Sequence, residues 1–158
     1  MDLYLLRHGQ AGNRLDWDGP DSERPLTVSG RDGMARIASA IAKLGLHVDA
    51  IVTSPYARSR QTADILAEHL HLRDRVVRDE RLAPGFDAQA LADLLEEMPD
   101  HKGLVLVGHE PDLTSIVEGL TGARAVLKKG GMAYVRSKDP GLRKAELYWL
   151  LQPTVLGI

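Results

Sequence analysis

The sequence predicts an α/β fold: a three-layer sandwich with a mixed, mostly parallel central sheet and helices on both faces. Three observations predict it. Three short runs are apolar without interruption, Leu3-Tyr4-Leu5-Leu6, Ala50-Ile51-Val52 and Leu104-Val105-Leu106-Val107. Strands covered on both faces read this way, whereas a half-exposed strand would alternate. Segments with helical periodicity lie between and after these runs, the pattern of strand–helix–strand units. Finally, each run leads directly into polar residues suited to binding or catalysis, where open α/β sheets place their ligands.

The elements follow in order. Thr27 is a candidate N-cap for a helix carrying Met34, Ile37, Ala38, Ile41 and Leu44 on one face, with Gly45 as its stop. Ser54-Pro55 reads as a cap followed by proline at the first helical position, opening a helix anchored by Ile65, Leu66 and Leu70. Asp87 caps a helix presenting Leu91, Leu94, Leu95 and Met98, ended by Pro99. Pro111 opens another, with Leu113, Ile116, Val117 and Leu120 at i, i+3, i+4, i+7 spacing. Val76-Val77, Met132 to Val135 and Glu146 to Leu151 complete the strands. Gln10 to Pro25 has no periodicity, and reads either as a functional cover or binding loop or as a disordered surface loop.

Length and composition bound the function. The 158 residues fit one domain, 1–158, and a chain of this size buries about 70% of its unfolded surface. There is no cysteine, which excludes disulfides, thiol catalysis and cysteine-ligated metal clusters. Twenty Lys and Arg against 22 Asp and Glu give a formal charge of -2, so no nucleic-acid partner is expected. The longest apolar run, Leu147 to Leu151, is far short of a membrane span, and the first seven residues lack the features of a signal peptide. A cytoplasmic protein with no membrane partner is the expectation; the oligomeric state is not readable.

The three strand ends are Arg7-His8-Gly9, Thr53-Ser54-Pro55 with Arg58 one helical turn on, and Gly108-His109-Glu110-Pro111. If the strands are parallel neighbours, two arginines and two histidines converge. Guanidinium groups offer planar, bidentate donors to phosphate. Helices that begin after Ser54 and His109 add N–H groups and positive dipole ends. A neutral histidine there can attack phosphorus and carry the group covalently. Gly9 would let the backbone approach the phosphate. Taken singly, Arg7, His8, Arg58 and His109 fit a salt bridge, a solvated helix residue or a cap; three strand ends together favour phosphate chemistry. His47, His69, His71 and His101 are assigned to the surface. A zinc site built from His8 and His109 with Asp2, Asp16 or Asp112 is the chemical competitor, but no pair has metal-ligand spacing and the arginines would repel a cation. No cofactor, no metal and no nucleotide-cradling loop is expected.

These residues resemble the histidine phosphatase, or phosphoglycerate mutase-like, superfamily. Leu5-Leu6-Arg7-His8-Gly9 looks like its signature, Arg24-Pro25-Leu26-Thr27 with Gly30 like the segment introducing its first helix, and Ser54-Pro55-Tyr56-Ala57-Arg58 with Gln61-Thr62-Ala63 like its second motif. Val107-Gly108-His109-Glu110-Pro111 looks like its second-histidine motif. The resemblance is collinear over nearly the whole chain, and selects Arg58 over Arg60. Short length, together with Leu82-Ala83-Pro84-Gly85, Lys128 to Ala133 and Leu147 to Pro153, is most similar to the bacterial SixA-type phosphohistidine phosphatases. The resemblance implies a hydrolase that removes phosphate from histidine on signalling proteins such as phosphotransfer domains. It makes His8 the nucleophile, with Arg7, Arg58 and His109 holding the phosphoryl oxygens. A small-molecule phosphomonoesterase acting on sugar phosphates or similar metabolites is the alternative. A module that only docks phosphorylated partners is the reading from another class, which the intact set of four residues disfavours. One departure stands out: the glutamate acid of many members falls here at Pro84, which has no proton to give. Glu80 is the candidate substitute. Asn13, Arg14, Arg24, Lys128 and Lys129 are candidate substrate contacts.

Overall fold

Alternation along β1 (Asp2–Arg7) divides the core in two, with Leu3 and Leu5 on one face of the sheet and Tyr4 and Leu6 on the other. The computed structural model describes residues 1–158. The other strands are β2 (Ala50–Thr53), β3 (Val76–Arg78), β4 (Gly103–Gly108), β5 (Met132–Arg136) and β6 (Glu146–Leu151). The helices are α1 (Val28–Ala42), α2 (Ala57–Leu70), α3 (Ala88–Glu97) and α4 (Asp112–Thr121). Met34, Ile37 and Ile41 of α1 and Ala63, Leu66 and Ala67 of α2 pack with Tyr4 and Leu6. Leu91 and Leu94 of α3 and Leu113, Ile116 and Val117 of α4 pack with Leu3 and Leu5. The result is the predicted three-layer sandwich.

The six strands lie in the order β3-β2-β4-β1-β5-β6. β1, β4, β2 and β3 pair in parallel, while β5 runs antiparallel to β1 and to β6. β4, formed late in sequence, sits between β1 and β2. Arg7 is level with Gly108, and Thr53 with Val107. The ladder continues one residue past each strand, through His8 N–H to Gly108 O (3.1 Å) and Ser54 N–H to Val107 O (3.0 Å). The three polar strand ends therefore lie side by side.

Thr27 caps α1 by accepting from Gly30 N, and Asp87 caps α3 by accepting from Ala90 N. Two helix starts differ from expectation. α2 begins at Ala57 with Tyr56 as the cap residue, so Ser54 and Pro55 lie ahead of it; Ser54 Oγ accepts from Tyr56 N instead. Pro111 is the cap residue of α4, one position ahead of the first turn. α1 ends at Ala42, leaving Leu44 outside the helix and half-exposed, because the chain turns away before Gly45 (φ 62°). Residues 10–25 are ordered by two short 3-10 helices, Arg14–Asp16 and Asp21–Glu23, and by a bridge between Ala11 and Leu26.

Gly30 is where this loop meets α1. A Cβ there would stand 2.0 Å from the carbonyl oxygen of Gln10, while one at Gly33 would meet open space. Gly30→Ala should destabilise the protein by about 1–3 kcal/mol, an overpacking cost. Gly33→Ala should stabilise it by about 0.5–1 kcal/mol through helix propensity. Urea unfolding of the two variants checks the pair; equal effects would contradict the close approach.

Candidate active site

The strand ends line one cavity of about 740 Å³. Arg7, His8, Tyr56, Arg58, His109, Glu110 and Pro84 line it from the sheet side; Asn13, Arg14, Asp21 and Arg24 line it from the loop. Burial without partners marks what the cavity is built for. Five buried side-chain atoms lack a hydrogen-bond partner, and three of them, Arg7 Nε, His109 Nδ1 and Glu110 Oε1, belong to residues lining this cavity. Buried polar groups are nearly always paired, so unpaired ones around a cleft are ready for a ligand.

His8 is buried, and its ring is set by its neighbour. Nδ1 lies 2.8 Å from the carbonyl oxygen of Gly9, which only accepts, so Nδ1 carries the hydrogen. Nε2 is left with a lone pair, which receives the Nε–H of Arg58 at 3.2 Å. Burial, assisted by His109, Arg58 and Arg7, depresses the His8 pKa to about 3. The Gly9 backbone N–H in turn donates to Thr62 Oγ1 of α2 (3.0 Å). Gly9 has a packing reason beyond the one expected: a Cβ would stand 2.5 Å from Met34 Cγ.

His109 stands beside His8, with ring centroids 5.3 Å apart. Its Nε2 lies 2.8 Å from Ser54 Oγ. Ser59 Oγ faces the same nitrogen at 3.4 Å, and Ser54 Oγ also accepts from Tyr56 N; with a serine hydroxyl donating to Nε2, the hydrogen of His109 stands on Nδ1, which has no partner in the protein. Burial first, then Arg58, depresses His109 to about 4. Arg7 donates to Leu127 O (2.9 Å). Arg58 is held on three sides: by His8, by Asp21 O (2.8 Å) and by Asp21 Oδ2 (3.0 Å). Two of its five N–H groups remain free for a ligand.

Asp21 was not singled out from sequence. It sits in the second 3-10 helix, and also binds Arg24 Nε at 2.9 Å. Although burial alone would raise its pKa, hydrogen bonds and charge from Arg24 and Arg58 hold it below the ordinary carboxylate range. Its one sequence signal was an aspartate just ahead of Arg24-Pro25, which is not distinctive.

The other expectations sort cleanly. Asn13 and Arg14 line the cavity, Asn13 with its Oδ1 accepting from Leu15 N; Lys129 lines it and Lys128 does not. Glu80, the candidate proton donor, is exposed and lies outside the cavity, because the 3-10 turn Glu80–Leu82 buries Leu82 and turns Glu80 to solvent. Of the four remaining histidines, His47 and His71 are exposed, but His69 and His101 are half-buried, with His69 bonded to Ile65 O. The zinc alternative scatters: Asp2 binds Tyr134 and Arg136 at the far end of β1, and Asp112 accepts from Gly85 N. No group of three His, Cys, Asp or Glu residues is placed to hold a metal. No helix is long and apolar enough to cross a membrane.

A mixed sheet whose parallel strands carry two neutral histidines and two arginines at their carboxyl ends defines a phosphoryl-transfer enzyme of the phosphoglycerate mutase-like fold. A model of the histidine phosphatase superfamily (branch 1) matches residues 3–84. An uncharacterized protein of Picosynechococcus sp. is 43% identical over 145 residues, 87% of this chain and 86% of that one. Phosphohistidine phosphatase SixA of Escherichia coli is 26% identical over 113 residues, 70% of this chain and 68% of that one. The structure of the protein histidine phosphatase SixA complexed with tungstate shares the fold at a TM-score of 0.87, with 23% identity and 99% of both chains covered. A mycobacterial glucosyl-3-phosphoglycerate phosphatase shares it at 0.73, with 18% identity over 96% of this chain and 98% of that one. The chain belongs to the histidine phosphatase superfamily, and its enzyme class is that of a phosphatase.

The depressed histidines give a titration prediction. An unfolded imidazole gains its proton near pH 6.5, whereas His8 and His109 stay neutral down to about 3 and about 4. Between those values the unfolded chain binds more protons, so stability should fall as pH drops from about 6.5 towards 4. In nitrogen-15 NMR spectra the two rings should remain neutral from pH 8 to 5 (roughly the range in which free imidazole titrates). Midpoints near 6.5 would contradict the burial argument.

Proposed function

We propose that residues 1–158 act as a single histidine phosphatase domain that removes phosphoryl groups from histidine on a protein, through a phosphohistidine formed at His8. The observation that carries the reading is a polar, cationic cavity lined by a loop that also exposes apolar side chains. Leu15, next in the chain to the cavity residue Arg14, is 91% exposed, and Trp17 is 36% exposed. A metabolite held in the cavity would not need these side chains; a protein surface carrying the phosphorylated residue would rest on them. The SixA relative, named a phosphohistidine phosphatase, supports the same class of substrate.

In the proposed reaction the lone pair of His8 Nε2 leaves Arg58 and attacks phosphorus. Arg7, Arg58 and His109 Nδ1–H neutralise the charge that builds on the phosphoryl oxygens. The bond from phosphorus to the substrate imidazole breaks, and that ring leaves with the electron pair. Water then attacks phospho-His8, releasing phosphate and restoring the neutral ring. The Gly9 carbonyl, bonded to Nδ1–H, steadies the positive charge on the phosphorylated ring. No metal ion is required on this route, since the arginines supply the positive charge. An imidazole is a good leaving group once protonated, so it places less demand on an acid than a sugar alkoxide does.

The test sets a phosphorylated histidine phosphotransfer domain against a panel of sugar and amino-acid phosphates. The phosphoprotein should have the highest kcat/KM. Leu15→Asp and Trp17→Ala should each lower it about fivefold or more, the effect of losing a contact worth on the order of 1 kcal/mol. Hydrolysis of a small aryl phosphate should be unchanged. A metabolite turned over faster than the phosphoprotein would favour the small-molecule reading.

A further inference from the structure

Two carboxylates line the cavity, Asp21 and Glu110. Asp21 is engaged by Arg24 and Arg58 and stays ionised, so it has no proton to give. Pro84 lines the cavity without a titratable group, and Glu80 lies outside it. Glu110 is different. It directly follows His109 at the end of β4, the strand held between β1 and β2. It is half-buried, and its Oε1 is shielded from solvent with no partner in the protein. Burial raises its pKa, only partly offset by nearby Thr114 and by the charge of Arg7. Thr114, in the first turn of α4, donates its hydroxyl to Ala125 O (3.2 Å) and leaves Glu110 Oε1 unpartnered.

We propose that Glu110 is the general acid of this site, giving its proton to the leaving atom of the substrate as the phosphoryl group passes to His8. The inference rests on the phospho-His8 reading. In the first step the phosphorus–leaving-group bond breaks, its electron pair stays with the leaving oxygen or nitrogen, and that atom takes the carboxyl proton. Glu110 is then a carboxylate beside Arg7. In the second step water attacks phosphorus, the phosphorus–Nε2 bond breaks with its electrons returning to His8, and the proton lost by water goes to Glu110. The acid thus serves from the β4 end, although the β3 side carries Pro84. A site so equipped handles leaving groups poorer than imidazole, which widens the substrate class to phosphomonoesters.

The competing role for Glu110 is structural, as a half-buried residue at the turn from β4 into α4, and the test separates the two. Glu110→Gln keeps the size and an acceptor oxygen but holds no acidic proton. The measurement is kcat/KM, which reports the first step, across aryl phosphates of increasing leaving-group pKa. In the wild type the dependence should be shallow. In Glu110→Gln it should be steep, with losses on the order of 10²–10⁴ for the poorest leaving groups and little loss for the most activated one. The fall in activity towards high pH expected of the wild type with poor leaving groups should also vanish. A uniform loss across the series, or an unchanged slope, overturns the proposal and leaves Glu110 a structural residue. If Glu110→Gln does not fold, Glu110→Asp must shift that high-pH limb, and an unmoved limb overturns the proposal equally. Trapping the phosphoenzyme with the most activated ester distinguishes the two failures. Phospho-His8 in both proteins with unchanged slopes sinks Glu110 alone, whereas no phospho-His8 in the wild type sinks the underlying reading.

Discussion

Everything at the site depends on the register of three parallel strands. β4 lies between β1 and β2, and Arg7 is hydrogen-bonded level with Gly108 while Thr53 is level with Val107. This alignment brings His8, Ser54 and His109 out of the sheet edge together. A slip of one residue would turn every side chain of the moved strand to the opposite face. Such a slip is resisted by the two cores, because Leu3 and Leu5 would exchange places with Tyr4 and Leu6. The hydrophobic pattern of a buried strand thereby sets the position of a polar residue just beyond it.

Electrostatics at this edge follow from burial. Two imidazoles and two guanidiniums sit close together away from water, an arrangement that disfavours further positive charge. The histidines respond by staying neutral, and Asp21 balances Arg58 and Arg24. Arg58 meanwhile donates to the lone pair of His8 Nε2. On the proposed route a phosphoryl group offers that guanidinium stronger, charged acceptors, so arrival of substrate frees the lone pair where it is needed.

The central layer was legible because strands buried on both faces have continuous apolar runs, and the four helices because their apolar stripes are periodic. Arg7, His8, Arg58 and His109 could be placed together from strand direction alone. Other features were hidden for physical reasons. Asp21 belongs to an aperiodic loop, and its pairing with Arg58, 37 residues on in the chain, comes from tertiary structure that no local pattern announces. Glu80 and Glu110 were both carboxylates near a strand end in sequence. Their separation depends on the 3-10 turn that exposes Glu80 and on the end of β4, which carries Glu110 into the cavity beside His109. The start of α2 was displaced to Ala57 because Ser54 is engaged by His109 and Tyr56 N rather than free to act as its cap.

The most direct test of the account is to find where the phosphoryl group goes. The enzyme is mixed with a phosphorylated substrate, quenched within milliseconds under alkaline conditions, and read by phosphorus-31 NMR and peptide mass spectrometry. One phosphoryl group is expected on Nε2 of His8, the nitrogen left free by the Gly9 carbonyl, and none in His8→Ala. A phosphoryl group on Nδ1 of His8 or on any other residue would contradict it.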